Sequence, residues 1–175
     1  VVNTGVIRFT VPQSGSALIT SLFRGSKEIG RNARLVGMRR DAPENGNQDE
    51  HFESRIISAE VEQQGPVRAV IKITGTNRTA NGREWLPFTL RLYAFAGGET
   101  VQLTHSFIFD GNAESDFISG LGLRFEVVQR DALYNRHLRL VGENKGLWGE
   151  AVKGITGLRR DPGEAVRQAQ IAGVA

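Results

Sequence analysis

The chain has 175 residues, of which 39% are hydrophobic and 23% are charged, and its formal net charge is +3. These values are typical of one globular domain with a sizeable core, and they exclude a disordered or fibrous chain. The absence of cysteine excludes disulfides and thiolate chemistry, and no apolar run approaches the roughly 18 residues of a membrane span, so no membrane partner is expected.

Strand signals begin near the N-terminus and follow one another along the chain. Residues 6–11, 17–23 and 34–39 alternate or cluster apolar side chains in the manner of short strands. Residues 24–29 between them are typical of a hairpin turn and its return strand. Residues 40–51 are polar and rich in turn-forming residues, which predicts a flexible loop.

The middle of the chain gives the clearest pattern. Strand-like segments at residues 53–62, 67–74, 85–95 and 100–109 are separated by turns, one of which is the polar stretch 75–82. The last three of these segments predict an antiparallel meander.

The C-terminal third continues the pattern less clearly. Residues 117–128, 136–141 and 152–158 predict further strands, and only residues 164–172 have helical character. Many short strands separated by turns predict an all-β fold, a two-sheet antiparallel β-sandwich of the supersandwich-like kind with little helix. Residues 161–175 are expected to form a C-terminal tail or linker.

The domain organisation predicted from the sequence is one β-sandwich domain over residues 1–175. The chain starts abruptly in strand-like sequence without a recognisable signal peptide, and it stops without an obvious packing partner. We therefore expect this stretch to be a fragment of a larger multidomain protein.

The three histidines are the first candidates for chemistry. His51, His105 and His137 lack the short spacing of a metal motif and no carboxylate completes one, so neither a metal nor another cofactor is predicted. If the alternation of its strand is unbroken, His105 shares one face with Leu103, Phe107 and Phe109. It is therefore either a half-buried structural histidine or a proton-transfer group on the sheet face.

The densest polar cluster is the run from Tyr134 to His137. Arg136 would pair with a carboxylate, Asn135 would hydrogen-bond sugar hydroxyls, and Tyr134 or His137 would move a proton, as a site for an acidic sugar requires. The alternative is an exposed polar turn between two strands.

A second candidate surface lies on the long strand 85–95. Arg91 and Tyr93 are two residues apart and share one face, where they would line a groove with Tyr93 as a stacking platform, unless that face is simply solvated. Residues 110–116 offer several oxygens, but they do not fit the calcium-loop pattern. The chain has 18 arginines and four lysines, and arginine side chains are suited to binding carboxylates. The sequence lacks a basic stripe interleaved with aromatic residues, which argues against a nucleic-acid partner.

Four segments in the middle of the chain, taken in order, carry a family resemblance. They are residues 64–73 (QGPVRAVIKI), 85–93 (WLPFTLRLY), 105–111 (HSFIFDG) and 116–123 (DFISGLGL). In this order they resemble the central β-sandwich domain of exo-rhamnogalacturonan lyase-like proteins, and the resemblance covers roughly residues 1–160. Members of that family are similar to a three-part enzyme with a small β domain, this sandwich and an α/α toroid.

The resemblance implies a pectin-like acidic substrate and cleavage by β-elimination. In that reaction a base removes the proton next to the uronate carboxyl, and cationic or hydrogen-bonding groups stabilise the resulting negative charge. On this interpretation the chain is a lyase module that contributes substrate-binding residues and is inactive alone. The candidate catalytic residues are His105, His137 and Tyr134, and the candidate substrate-binding residues are Arg91, Tyr93, Asn135 and Arg136.

The expected partners are an acidic polysaccharide or oligosaccharide and the remaining domains of the parent chain, in a secreted or periplasmic setting. Two alternatives stay open. One is a non-catalytic carbohydrate-binding or scaffold domain. The other is a complete small glycoside-active enzyme, which would need a pair of carboxylates flanking the scissile bond.

Overall fold

The computed structural model describes residues 1–43, 49–132, 135–141, 146–151 and 164–172. These residues form eleven strands and one helix, which confirms the all-β prediction. The elements are β1 Val2–Asn3, β2 Ile7–Thr10, β3 Ile19–Arg24, β4 Lys27–Arg40, β5 Asp49–Gln64, β6 Arg68–Thr79, β7 Glu84–Phe95, β8 Val101–Phe107, β9 Phe117–Val127, β10 His137–Val141, β11 Leu147–Ala151 and α1 Glu164–Ile171.

The chain divides into two compact units, Val1–Val128 and Gln129–Ala175. In the second unit, β10 and β11 pair as an antiparallel ribbon, with His137 opposite Ala151. Strand β11 was not predicted, and the strand expected at residues 152–158 lies outside the described residues. Helix α1 lies within the segment expected to be a tail, where the sequence showed its only helical character. No helix among the described residues is long and apolar enough to cross a membrane.

The first unit is built around β4. One edge of β4 pairs first with β3 and then, from Val36 to Arg40, with β5, while β9 runs antiparallel along the other edge. Two arms therefore leave β4, one formed by β3, β2 and β1 and the other by β5, β6, β7 and β8. Strands β6, β7 and β8 form the antiparallel meander that the sequence predicted.

The two arms pack face to face, which produces the predicted sandwich. Alternate side chains of each strand point between the arms, because successive residues of a strand face opposite sides. The buried core that joins the arms includes Ile7, Phe9, Leu18, Ile19, Leu35, Ile56, Ile73, Phe88, Leu90 and Leu92. Burying each such side chain contributes about 1.5–3 kcal/mol. At the outer end of the arms, Thr4 Oγ1 donates to the carbonyl of Gly98 at 2.6 Å, and Gly97 N donates to the carbonyl of Thr4 at 2.7 Å.

Strand β4 is one continuous element of 14 residues, whereas the sequence suggested a return strand and a separate short strand. The apparent break at Gly30–Ala33 is absorbed inside the strand. Asn32 takes a left-handed conformation with φ 51°, and the pairing with β9 shifts register between Arg31 and Arg34. A polar interruption of the alternation therefore marks a bulge here and not a turn.

Strand β6 also runs further than predicted, through most of the polar stretch 75–82. Thr76 Oγ1 donates to the carbonyl of Trp85 at 3.0 Å, and Asn77 Nδ2 donates to the carbonyl of Leu86 at 2.9 Å. Because the Thr76 hydroxyl and the Asn77 amide nitrogen donate to carbonyl groups inside the fold, these residues can be buried within a strand. The Asn77 Oδ1 atom has no partner among the described residues.

The connection predicted as a loop over residues 40–51 is shorter in the structure. Strand β4 ends at Arg40 and β5 begins at Asp49, where Arg40 Nε lies 2.7 Å from Asp49 Oδ1. Opposite charges on facing residues support the ladder in a segment whose polarity resembled that of a loop.

Candidate functional site

Arg91 and Tyr93 lie side by side on the outer face of β7, as the alternation predicted. Arg91 is already engaged, because its Nε and Nη2 atoms lie 2.7 Å and 2.8 Å from the carboxylate oxygens of Glu62. This bidentate ion pair raises the pKa of Arg91 and lowers the pKa of Glu62. The ring of Tyr93 is partly covered by Arg68, whose guanidinium carbon lies 6.0 Å from the ring centroid.

His105 lies on the opposite side of the same sheet. It faces Leu90 directly across the β7–β8 pairing, so its side chain points toward the core, while neighbouring Arg91 points outward. Its ring is 5.7 Å from that of Phe88 and 5.5 Å from that of Phe107. Burial lowers the pKa of His105, and its buried Nε2 has no hydrogen-bond partner among the described residues. The structure therefore does not bring His105 together with Arg91 and Tyr93.

The remaining sequence-predicted residues belong to the second compact unit. Asn135 and His137 are exposed, and Arg136 Nε donates to the carbonyl of Asp131 at 2.7 Å. Tyr134 lies outside the described residues.

The acidic loop at residues 110–116 is organised by arginines. The Asp116 side chain is only 2% exposed, and Arg83 approaches it bidentately at 2.9 Å and 2.5 Å while Arg39 donates to Oδ1. The backbone N–H of Asn112 adds a further bond at 2.7 Å. These donors, with Arg83 the strongest influence, hold the pKa of Asp116 far below its usual range. The carboxylate oxygens are therefore occupied by protein donors.

A concave groove of about 510 Å³ lies where the first arm crosses β5 and β6. This volume is within the usual range of small-ligand sites. On one side the backbone of residues 15–16 runs along β5, where Ile56 N donates to the carbonyl of Gly15 at 2.7 Å. The residues lining the groove include Gly15, Ser16, His51, Glu53, Arg55 and Arg78.

The ionisable side chains of the groove share one face because of strand alternation. His51, Glu53 and Arg55 are at every second position of β5, and their neighbours Phe52, Ser54 and Ile56 are buried on the other face. Arg78 on β6 is directly opposite Glu53 and therefore projects from the same outer face.

Ion pairs neutralise some of these groups and leave others available. Arg34 Nη1 lies 2.9 Å from Glu53 Oε2, and Arg55 pairs with Glu84. Arg78 and His51 are exposed and have no hydrogen-bond or ion-pair partner within the part of the chain that the structure describes. The groove thus combines a concave surface with an uncommitted guanidinium, an arrangement that can receive a carboxylate.

Sequence patterns did not point to this groove. His51 fell at the end of the predicted loop 40–51, and Arg78 fell in the predicted turn 75–82. One available signal was the spacing of His51, Glu53 and Arg55 by two, which is the signature of one strand face.

Comparison with known proteins identifies a family and a relative. A family model described as "PcRGLX-like protein central beta sandwich domain" matches residues 1–175. The chain is also 36% identical over 154 residues to a protein of Bacillus subtilis (strain 168) described as "Uncharacterized protein YetA". That alignment covers 85% of this chain and 18% of the relative, so the chain spans about a fifth of the relative's length.

Proposed function

The chain belongs to the family of PcRGLX-like central β-sandwich domains, and on that premise we propose that it is the β-sandwich module of a polysaccharide lyase. The parent protein would cleave a pectin or rhamnogalacturonan-type acidic polysaccharide by β-elimination, in a secreted or periplasmic setting. The role of this module is to bind the substrate, and its groove receives the sugar acid.

The observation that carries this proposal is the guanidinium of Arg78, which forms no ion pair among the described residues. A guanidinium presents a planar fork of donors that matches a carboxylate, and it stays charged at every physiological pH. Arg78 presents that fork at a concave surface and forms no ion pair among the described residues. The two glutamates that face it across the strands, Glu53 and Glu84, are paired with other arginines. Arg55 and Arg91, by contrast, are already bound by Glu84 and Glu62.

Other groups of the groove suit the rest of a sugar. His51 and Ser16 offer nitrogen and hydroxyl groups near Arg78 for hydrogen bonds with ring hydroxyls. Glu53 can also accept such a bond, since its carboxylate has more acceptor positions than Arg34 occupies.

The proposal assigns binding to this module and leaves the complete reaction to the whole protein. Elimination requires a base and a charge-stabilising group at the same sugar carbon. In the first unit, His105 points toward the core and Arg91 and Tyr93 point outward, so these residues do not form such a pair. The chain matches only 18% of its relative's length, which leaves ample room for the missing groups elsewhere.

Calorimetric titration of the 175-residue protein tests the binding role. The probes are an oligogalacturonate and a neutral galacto-oligosaccharide of equal length. We expect the acidic probe to bind and the neutral one not to bind. The Arg78→Gln substitution should lower the affinity for the acidic probe roughly 10- to 100-fold, because a charge-assisted contact contributes about 1.5–3 kcal/mol. Arg91→Gln is the matched control, since that guanidinium is held by Glu62.

Two results would contradict the proposal. Equal binding of both probes would favour a general carbohydrate-binding domain, and an unchanged affinity in Arg78→Gln would remove the groove as the site. A third measurement tests the module role. If the isolated protein alone produced unsaturated uronates at full rate, followed by their ultraviolet absorbance, the assignment of catalysis to the whole protein would be wrong.

A further inference from the structure

Two arginines face each other on the outer surface at some distance from the groove. Arg34 on β4 is directly opposite Arg124 on β9 in the antiparallel pairing. Arg34 projects from the outer face, because its neighbour Leu35 is buried on the other face of β4. Arg124 shares that outer face, because it lies directly opposite Arg34. Like charges at directly facing positions destabilise a sheet.

The hydrogen bonding of this pair is incomplete. Arg34 Nη1 reaches Glu53 Oε2, but its Nε is buried and has no acceptor within the described ranges. Arg124 is exposed and has no hydrogen-bond or ion-pair partner there. A buried donor without an acceptor costs free energy, and the second cation beside it raises that cost.

The carboxylates near the pair are already committed to other donors. Glu126, two residues along β9, accepts from Asn32 Nδ2 at 3.0 Å and from Arg31 Nε at 3.0 Å, and these contacts lower the pKa of Glu126. Glu53 is bound to Arg34 itself. Among the described residues around the pair there are three arginines and two glutamates, so an excess positive charge remains at Arg124.

The surface between this pair and the groove is continuous. Glu53, which lines the groove, is hydrogen-bonded to Arg34 on the next strand, and Val36 lies directly opposite Glu53. Beyond Val36 the facing residue of β9 is Gly122, where a side chain would meet nothing within 4 Å. At Gly122 the outer face therefore has no side chain that would obstruct a ligand on this path.

We propose that Arg34 and Arg124 form a second carboxylate-binding position, and that one acidic oligosaccharide runs from Arg78 in the groove across β5 and β4 to Arg124. This inference rests on the proposed function. From β6 to β9 the path crosses three strand spacings of about 4.8 Å each, so the two positions are roughly 15 Å apart. A single sugar acid can occupy only one of them, whereas an oligosaccharide reaches both and gains from the linkage.

The test compares a galacturonic acid monomer with an oligogalacturonate by calorimetry. Arg124→Gln should leave the affinity for the monomer unchanged and lower the affinity for the oligomer about tenfold. Arg78→Gln should lower the affinity for both probes, and Arg91→Gln should leave both affinities unchanged. Arg124→Lys keeps the charge without the bidentate fork, and we expect it to fall between the wild type and Arg124→Gln.

Thermal unfolding separates a binding role from a structural one. Removing one of two facing like charges should leave the melting temperature of Arg124→Gln unchanged or raised. An unchanged oligomer affinity in Arg124→Gln, together with a loss in Arg78→Gln, would overturn the second position and leave the groove standing. No binding by the wild type, or no effect of either substitution, would overturn both proposals. Equal losses for monomer and oligomer in Arg124→Gln would also refute the second position.

Discussion

The carboxylate of Asp110 accepts a hydrogen bond from the backbone N–H of Leu86, with Oδ1 and N 2.7 Å apart. Leu86 is 1% exposed and has φ 48°, a left-handed conformation that costs a side-chain-bearing residue about 1–2 kcal/mol. Asn77 Nδ2 donates to the carbonyl of the same residue at 2.9 Å. Two side chains thus hold both polar groups of a residue whose backbone would otherwise relax.

We therefore predict that Asp110→Ala lowers the free energy of unfolding by about 1.5–3 kcal/mol, the usual contribution of a hydrogen bond to a charged group. Asp110→Asn should cost less, because its amide oxygen can still accept. Urea denaturation followed by circular dichroism measures both. The control is Glu99→Ala, which breaks an exposed ion pair with Arg24 and should cost under about 1 kcal/mol. An Asp110→Ala loss no larger than the control's would contradict the role of Asp110.

Local patterns predicted most of the fold, because strand alternation is a property of neighbouring residues. The meander and its core-facing side chains, such as Ile73 and Leu90, follow from that period alone. Strands were misjudged where a polar residue is satisfied by a distant partner. Asn77 lies in a strand because its amide reaches Leu86, and the sequence does not indicate such a bond.

The candidate site was less predictable for the same reason. Whether an arginine is available depends on partners far along the chain, such as Glu62, which lies 29 residues from Arg91 and neutralises it. Arg78 and Arg91 look equivalent in the sequence, and only the folded arrangement distinguishes them.

Asp116 is predicted to be a main source of stability at neutral pH. Removing one partner of a buried ion pair typically costs about 3–5 kcal/mol. Because Arg83 and Arg39 keep some exposure and can rehydrate, we expect Asp116→Ala to cost about 3 kcal/mol, the lower end of that range. Chemical denaturation at neutral pH measures this loss. A cost within about 0.5 kcal/mol of zero, the range of ordinary surface substitutions, would contradict it.

The same residue should govern acid unfolding. The arginines hold the folded-state pKa of Asp116 below its ordinary value of 3.8, so the unfolded chain binds the proton first as pH falls. The contribution of Asp116 is fully present above pH 3.8 and is lost as pH falls from 3.8 toward the lower folded pKa. Asp116→Asn should therefore flatten the dependence of unfolding free energy on pH in this range, and an unchanged slope would argue against the assignment.

His105 should change the free energy of unfolding in a different pH range. Burial lowers its folded-state pKa below 6.5, so the unfolded chain takes up the proton first and stability falls as pH decreases below 6.5. His105→Phe, which keeps an aromatic ring against Phe88, should reduce the loss of stability between about pH 7.5 and about pH 5.5. The exposed His51, substituted by Gln, serves as the control. If His105→Phe kept the wild-type dependence of the unfolding free energy on pH, His105 would not be the source of that dependence.

The pairing of β4 with β9 allows a matched test of packing at two neighbouring glycines. A Cβ on Gly37 would overlap the ring of Phe52 and lie 2.8 Å from the carbonyl oxygen of Gly120. Because Phe52 is 1% exposed and cannot move into solvent, Gly37→Ala should cost about 1–3 kcal/mol through overpacking. Gly122, which faces Val36, has open space, so Gly122→Ala should be neutral or raise the unfolding free energy by about 0.5 kcal/mol. Urea denaturation of the two variants gives the comparison. Both substitutions make the same chemical change in the same strand pair, so only the packing around each glycine should distinguish them. Equal effects on the free energy of unfolding would mean that Phe52 does not limit the size of the side chain at Gly37.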